Sequence, residues 1–149
     1  MKLNEISALL SAICYEIPNA MYLRATDTDA NTTLDNVNIS GRYVVLFNNL
    51  PEVNVSVSQS GYMTKSTPIG IKVLRLAGLD DTTIESDTIR DSCEDVANMI
   101  FDKITKDQEL PDTFEYSLSF LNEVKLYDKI LTGVSMSFVL NTERGGYGC

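Results

Sequence analysis

A polar run between residues 25 and 40 comes nearest, by residue type and spacing, to a site that could bind a metal ion. Four side chains with oxygen ligands occupy the first, third, fifth and ninth positions of an EF-hand-like calcium loop: Asp27, Asp29, Asn31 and Asp35. The glycine of the sixth position is replaced by Thr32, and the glutamate of the twelfth by Asn38. The flanking segments also predict strands or coil rather than helices. We therefore expect a turn-rich polar loop near residues 25–41, with a weak cation site as the alternative.

A second short motif, Lys65-Ser66-Thr67, has the order of the residues that end a phosphate-binding P-loop. Thr64 stands before the lysine where that motif requires glycine, and the leading glycine is absent. Those glycines let the backbone surround a phosphate, and a segment that lacks them is not expected to bind one. The sequence instead predicts a flexible polar loop near residues 59–68, in which Lys65 is a solvated charge.

Side chains for other kinds of catalysis are sparse. The chain has no histidine, which is the commonest general base and zinc ligand. Carboxylate pairs such as Asp91 and Asp95 could exchange protons, but they fall on the polar face of a predicted helix, where we expect them to be solvated. Cys93 lies on the apolar stripe of the long predicted helix and Cys14 lies at the end of the first, so both are expected in the core. Cys149 is terminal. The sequence therefore predicts neither an enzyme nor a bound cofactor.

Charge and composition narrow the classes of function. Lys and Arg number 12 and Asp and Glu number 21, for a net charge of −9. Such a chain is poorly suited to bind nucleic acid, because that binding needs clustered Lys and Arg side chains. An acidic surface could nevertheless let DNA slide past without binding it. The sequence contains no CxxC pair, no signal-peptide pattern and no run of about 18 apolar residues, so we expect synthesis in a reducing compartment and no membrane span.

The strongest structural signal is an alternation of apolar and polar residues near the C-terminus. Its apolar members are Phe114, Tyr116, Leu118, Phe120, Val124, Leu126, Ile130, Val134, Met136, Phe138 and Leu140. Successive side chains of a strand point to opposite faces, so this row predicts a hairpin of two long strands with one apolar and one polar face. Tyr127-Asp128-Lys129 is predicted to connect the two strands.

Two amphipathic helices are predicted from apolar residues at three- and four-residue spacing. The first spans residues 3–13 and ends before Pro18, because the residue before a proline avoids helical angles. The second carries its apolar stripe over residues 89–104. Thr82 and Glu85 have the spacing of a capping box, so this helix is predicted to begin between residues 82 and 87.

Shorter strands are predicted at residues 20–24, 43–47, 53–57 and 69–76. A turn is expected at 48–51, and the glycine-rich tail, residues 144–149, is expected to be flexible. Together these elements predict a single α+β domain over residues 1–149, in which a mainly antiparallel β-sheet packs against one long helix and an N-terminal helix.

The amphipathic helix at 3–13, the long helix at 89–104 and the closing hairpin, with Leu-Tyr-Asp-Lys-Ile-Leu-Thr-Gly-Val-Ser-Met at 126–136, give an order of elements that resembles a known family. The chain resembles the tail-terminator and tail-completion proteins in the neck of tailed bacteriophages. The resemblance implies a homo-oligomeric ring without catalytic residues that terminates the tail tube or joins tail to capsid. It also implies contacts with other neck or tail proteins, DNA passing through the lumen without specific binding, and a place in the virion after synthesis in the host bacterial cytoplasm.

We therefore expect a structural virion protein, with a non-enzymatic soluble adaptor or binding module outside the virion as the alternative. A third hypothesis is a metal-assisted hydrolase that uses the 27–35 loop. The residues expected at a subunit or partner interface are Asp27, Asp29, Asn31, Asp35, Tyr62, Met63 and Lys65. Tyr62 and Met63 are the expected apolar anchors, since tyrosine combines a large apolar face with a hydroxyl group. The alternative for Tyr62 is that it folds back on its own sheet.

Overall fold

A computed structural model describes the chain over residues 2–24, 39–47, 52–77, 82–108, 115–126 and 129–144. The helices of these stretches are α1 (Leu3–Glu16) and α2 (Thr83–Asp107). The strands are β1 (Ala20–Arg24), β2 (Tyr43–Phe47), β3 (Asn54–Val57), β4 (Met63–Leu76), β5 (Tyr116–Leu126) and β6 (Lys129–Arg144). The predicted α+β class is confirmed, with a six-stranded sheet and the long helix packed on it.

The sheet has the strand order β1-β2-β4-β6-β5, and β3 pairs with β4 on the side that β2 also occupies. Every pair is antiparallel except β1 with β2. β4 is the central strand, because it pairs with β6 along its whole length, from Met63 opposite Arg144 to Leu76 opposite Leu131. β2 and β3 run in the same direction along successive parts of β4. Residues 48–51, where a turn is predicted, lie outside the described residues.

The main core lies between the sheet and the two helices. Its buried members are Ile6, Leu10, Ile13, Cys14, Ile17, Val45, Phe47, Ile69, Ile71, Val73, Cys93, Val96, Ala97, Ile100, Ile104, Val134, Met136, Phe138 and Leu140. On the opposite face of the sheet a smaller buried cluster contains Ile39, Val44, Leu46, Leu74 and Leu131. β2 therefore contributes to both faces, which confirms the strand buried on both sides that its continuous apolar run predicts.

Both helices begin and end close to the predicted places for local reasons. The Thr82 hydroxyl accepts a hydrogen bond from the Glu85 N–H at 3.2 Å, and the Glu85 carboxylate accepts one from the Thr82 N–H at 3.0 Å. The predicted capping box of α2 is therefore confirmed. α1 ends at Glu16, and the extended backbone of Ile17 before Pro18 prevents its continuation.

The predicted loop at residues 59–68 is wrong over most of its length. The turn between β3 and β4 is confined to residues 59–61, and β4 begins at Met63. The Ser58 N–H donates to the Tyr62 carbonyl at 2.8 Å, and the Gly61 N–H donates to the Ser58 carbonyl at 3.0 Å. Gly61 has φ of 85°, which closes a three-residue hairpin turn without strain. The polar residues after it form a strand because β3 and β6 supply ladder partners on both sides.

Pro68 lies inside β4, although proline usually breaks a strand. It is opposite Val139 of β6, in the interval between the residues of β4 that pair with β2 and those that pair with β3. Proline has no N–H to donate, so such an interruption is where a strand can accept it.

Other differences concern the ends of elements. Lys129, predicted in the hairpin connection, is the first residue of β6 and is opposite Leu126. Arg144, predicted in the flexible tail, is the last residue of β6. Of the polar loop predicted near residues 25–41, residues 25–38 lie outside the described residues, as do Phe114 and the tail residues 145–149.

Candidate functional site: an exposed hairpin and the opposite sheet edge

Residues 53–66 form a hairpin, called here the arm, in which the side chains of β3 are not covered. All four residues of β3 are exposed. Val55 is opposite Lys65 and Val57 is opposite Met63, and the two valines are 55% and 49% exposed. Burial of such apolar side chains against a partner favours binding by about 25 cal/mol per Å² of apolar area removed from water. The arm is therefore a candidate interface.

The arm is held in one shape by its own hydrogen bonds. The Tyr62 N–H donates to the Ser58 hydroxyl oxygen at 3.1 Å, beside the two backbone bonds that close the turn. On its other side, the Ser66 hydroxyl donates to the side-chain carbonyl of Asn141 at 2.7 Å, which links the arm to β6. A preorganised hairpin loses little conformational freedom when it binds, so the entropic cost of covering its exposed area is small.

The arm is also unusual in its charge. Residues 53–64 contain no charged side chain, in a chain with a net charge of −9. Soluble proteins commonly protect an exposed edge strand with charges, with proline or with a bulge, and β3 has none of these. A neutral, apolar edge of this kind is suited to pairing with another strand.

Three of the predicted interface residues lie together on this arm. Tyr62 is 55% exposed, so it does not fold back into the core. Met63 and Lys65 are half-buried members of β4 and point to the same face as Val57 and Val55. The valines were predicted as a half-exposed strand but not as a contact surface, and the signal that could have identified them is the uncharged stretch itself.

The other predicted interface residues, Asp27, Asp29, Asn31 and Asp35, lie outside the described residues. Within the described stretches, no group of three or more acidic or cysteine side chains is placed to hold a metal ion. The predicted P-loop-like motif is part of a paired strand, because Lys65 and Ser66 lie in the ladder between β3 and β6. A strand does not surround a phosphate with its N–H groups, so the phosphate reading of this motif has no structural support.

A second uncovered edge is formed by β5 on the far side of the sheet. Residues 116–121 carry no charge, and Phe120 is 54% exposed. The sequence predicts Phe120 on the covered apolar face, together with Tyr116 and Leu118. Those two residues are partly buried against the core, where Tyr116 donates a hydrogen bond to Asn98 and its ring lies 4.2 Å from that of Phe101. The Phe120 side chain points to the same face, but it lies beyond the part of α2 that covers Tyr116 and is 54% exposed.

The β5 edge ends at an irregularity. The register of β5 with β6 shifts between Leu121 and Val124, which indicates a bulge. The Leu121 carbonyl accepts hydrogen bonds from Arg90 Nε at 2.8 Å and from the Thr132 hydroxyl at 3.1 Å. These bonds fix the end of the regular edge, so residues 116–121 are the part of β5 that another strand could extend.

The outer face of α2 concentrates negative charge. Four of its exposed residues are Asp87, Asp91, Asp95 and Asp102. The Asp87 carboxylate lies 3.1 Å from the Arg90 guanidinium, in a pair that is partly open to solvent and adds little stability. These carboxylates confirm the predicted polar face of the helix.

The cysteines of the helices are part of the core. Cys14 and Cys93 are 1% and 0% exposed, as predicted, and burial raises the pKa of each thiol to about 12. A thiol must lose its proton to act as a nucleophile, so neither cysteine is suited to catalysis near neutral pH.

Neither of the two described helices is long and apolar enough to cross a membrane. The chain matches no family model, and a search of curated proteins finds no significant match.

Proposed function

We propose that the chain is a structural subunit of a homo-oligomeric ring in the neck or tail of a tailed bacteriophage, where it terminates the tail tube or joins tail to capsid. The observation that carries the proposal is the arm, a hydrogen-bonded hairpin that is uncharged over residues 53–64 and whose valines and Tyr62 are exposed. Contiguous exposed apolar residues of this kind are typical of sites of protein–protein contact. The order of elements shared with tail-terminator and tail-completion proteins supports the same assignment.

Electrostatics favours contact between copies at the arm. Two chains with a net charge of −9 repel one another, so they associate most readily where neither surface carries charge. Residues 53–64 of the arm and residues 116–121 of β5 themselves carry no charged side chain. A ring also needs an interface that joins two different patches of the subunit. Among the described strands, β3 and β5 are two such patches, and β1, beside β2, is a further edge.

The acidic face of α2 supports the passage of DNA through such a ring. Exposed carboxylates repel phosphates, so a surface that carries Asp87, Asp91 and Asp95 lets a duplex move without holding it. We expect the assembled protein not to retain duplex DNA in an electrophoretic mobility assay at physiological ionic strength.

Native mass spectrometry of the purified chain across a concentration series tests the ring. The expected result is one discrete closed species whose mass is a fixed multiple of that of the chain. Val57→Lys places a charge on the exposed edge and is expected to shift the population to monomer. Ile84→Lys is the matched control, since Ile84 is an apolar residue of α2 that is 78% exposed and belongs to neither the arm nor residues 116–121, and it should leave the closed species intact.

A monomer at every concentration, or a stable dimer, would contradict the ring and favour the adaptor outside the virion, for which the same exposed arm would bind a different protein. Mass spectrometry of tailed particles from the genome that encodes the chain tests the place in the virion. Peptides of the chain should be found in the purified particles at a fixed ratio to other tail proteins.

A further inference from the structure

The two uncharged edges lie on opposite sides of the sheet. β3 lies at one margin, on the side of β4 away from β6, and β5 lies at the other margin. Within the described residues no strand pairs with the outer side of either one. A second copy of the chain can therefore present residues 116–121 of its β5 to the β3 edge of the first. Farther along the same side of the sheet β1 is paired with β2, so the contact is confined to that segment of β5.

The strand directions make this pairing antiparallel. β3 runs opposite to β4, β4 opposite to β6, and β6 opposite to β5. Copies that keep the same orientation in a continuous sheet thus bring β3 of one beside a β5 that runs in the opposite direction. Antiparallel ladders are the more stable type and require no crossover.

The apolar side chains of the two edges also share a face. Val55 and Val57 lie on the same face of the sheet as Met63 and Lys65 of β4, and Phe120 lies on the same face as Val134 of β6. The β4–β6 register places those residues of β4 and β6 on one face, the one covered by the helices. A continuous sheet would therefore set valines beside aromatic and aliphatic residues rather than beside serines.

One register of this antiparallel pairing places three valines of the first copy opposite three apolar residues of the second. If Val55 lies opposite Leu118, the antiparallel order places Val53 opposite Phe120 and Val57 opposite Tyr116. Val53 and Phe120 are 39% and 54% exposed, so both gain cover from the pairing. Cross-strand pairs between aromatic and β-branched residues stabilise a sheet by roughly 0.2–1 kcal/mol each.

The same register fits a closed ring. Within one subunit, Val55 is opposite Lys65 of β4. Leu118 is opposite Met136 of β6, which is in turn opposite Ile71 of β4. Lys65 and Ile71 are six residues apart, so the two edges are offset along the strand direction by about 20 Å. The step from one copy to the next crosses four strands, which is about 19 Å. An offset about equal to the step corresponds to strands tilted by roughly 45°, within the range for closed barrels.

We infer that the β3 edge of one copy pairs in antiparallel fashion with residues 116–121 of β5 in the next, so that one sheet continues around the ring. This inference names the joint of the ring and rests on the proposed function. It assigns Val53, Val55 and Val57 to one side of the joint and Phe120, Leu118 and Tyr116 to the other.

Disulfide trapping between single-cysteine variants tests the joint. The background carries Cys149→Ser, and Cys14 and Cys93 remain because they are buried. Val53→Cys and Phe120→Cys are prepared separately, mixed and oxidised mildly. The expected result is a disulfide-linked species of two chains that contains one of each variant, identified by mass under non-reducing conditions. Facing residues of an antiparallel pair bring their Cβ atoms near the distance that a disulfide requires.

The matched control is Val53→Cys mixed with Ser119→Cys, because Ser119 is the neighbour of Phe120 on the opposite face of β5. This pair should remain unlinked. Equal linking of both pairs would mean random collision and would overturn the joint.

Two further outcomes would overturn the joint, and the ring itself is judged separately by native mass spectrometry. Linking within Val53→Cys alone would show that two β3 edges pair with each other, as in a two-fold dimer. No linking in any mixture, with a closed species still present by native mass spectrometry, would place the subunit contact elsewhere. Linked pairs without any closed species would support the joint and contradict the ring.

Discussion

β4 passes through two regions of the sheet that differ in what covers them. In the body, which comprises the two helices and the strand residues buried beneath them, Ile69, Ile71 and Val73 of β4 are at most 1% exposed. In the arm, the valines of the strand that pairs with β4 are about half exposed. β4 pairs with β6 without interruption through both regions, so backbone pairing does not distinguish them. The comparison shows that one strand can lie in the core at one end and pair with an exposed strand at the other.

The largest expected effect is in the body, at the close approach of β6 to β4. A Cβ atom on Gly133 would lie 2.0 Å from the Val73 carbonyl oxygen and 3.1 Å from Leu74 Cα. Both are backbone atoms of a paired central strand, so Gly133→Ala is expected to lower the free energy of unfolding by about 3 kcal/mol or more. Urea denaturation measures this change. The control Ser137→Ala, at an exposed position of β6, should stay within about 0.5 kcal/mol of the parent.

A matched pair of substitutions tests the comparison directly. Val73→Ala in the body should cost about 2.5 kcal/mol, because the valine is fully buried and its loss leaves a cavity. Val55→Ala in the arm should change the stability of the monomer by less than about 0.5 kcal/mol. Both values come from the same urea titration. If the two losses were equal, the exposed state of the arm would be contradicted.

Alkaline pH should weaken the body through its two thiols. Burial raises the pKa of Cys14 and of Cys93 from 9.0 to about 12, so above pH 9 the unfolded chain loses protons that the folded chain keeps. Their contribution is complete below pH 9 and is lost as the pH rises toward 12, by about 1.4 kcal/mol per thiol at pH 10. Urea titrations at pH 8 and pH 10 measure the loss.

The control for this pH effect is the double variant Cys14→Ala/Cys93→Ala, which lacks both thiols. It is less stable at pH 8 but should lose less stability than the parent between pH 8 and pH 10. Equal losses in the two proteins would show that the thiols do not titrate differently on unfolding.

The smallest expected effect is confined to the arm. Gly61 has φ of 85°, and Gly61→Ala should destabilise the turn by about 1 kcal/mol. Hydrogen exchange should then become about fivefold faster at amides of β3 and remain unchanged in α2. Gln59→Ala, in the same turn, is the control. A uniform change over the whole chain would mean that the arm and the body unfold together.

The elements with a strong local period were predicted well. The Thr82–Glu85 capping box predicts the start of α2 and the spacing of apolar residues predicts its buried face, because these interactions connect positions only three or four residues apart. The β5–β6 hairpin follows in the same way from period two. The register shift between Leu121 and Val124 was not predicted, and the face expected to be polar contains the buried Leu131. Phe120 shows the limit of this reasoning, since the period assigns it to a face but does not say whether a helix covers that part of the strand.

The arm shows why the candidate site was predicted only in part. The polar residues from Thr64 to Thr67 favour a loop when they are considered alone. They form a strand because β6 supplies partners more than seventy residues later, as in the contact of Ser66 with Asn141. Tyr62, Met63 and Lys65 were expected at an interface, and the structure brings them to one hairpin with the exposed valines.

The sequence by itself determined the two helices and where each begins, the closing hairpin, the α+β class and the burial of Cys14 and Cys93. These features depend on contacts between near neighbours or on a simple period, which a single chain displays directly. Only the tertiary structure decided that β2 and β3 share one side of β4 and that β3 and β5 become opposite margins of the sheet. It also decided that three valines are left uncovered. Those outcomes depend on pairing between distant segments, whose register is set by the packing of the whole sheet and not by the local pattern of any strand.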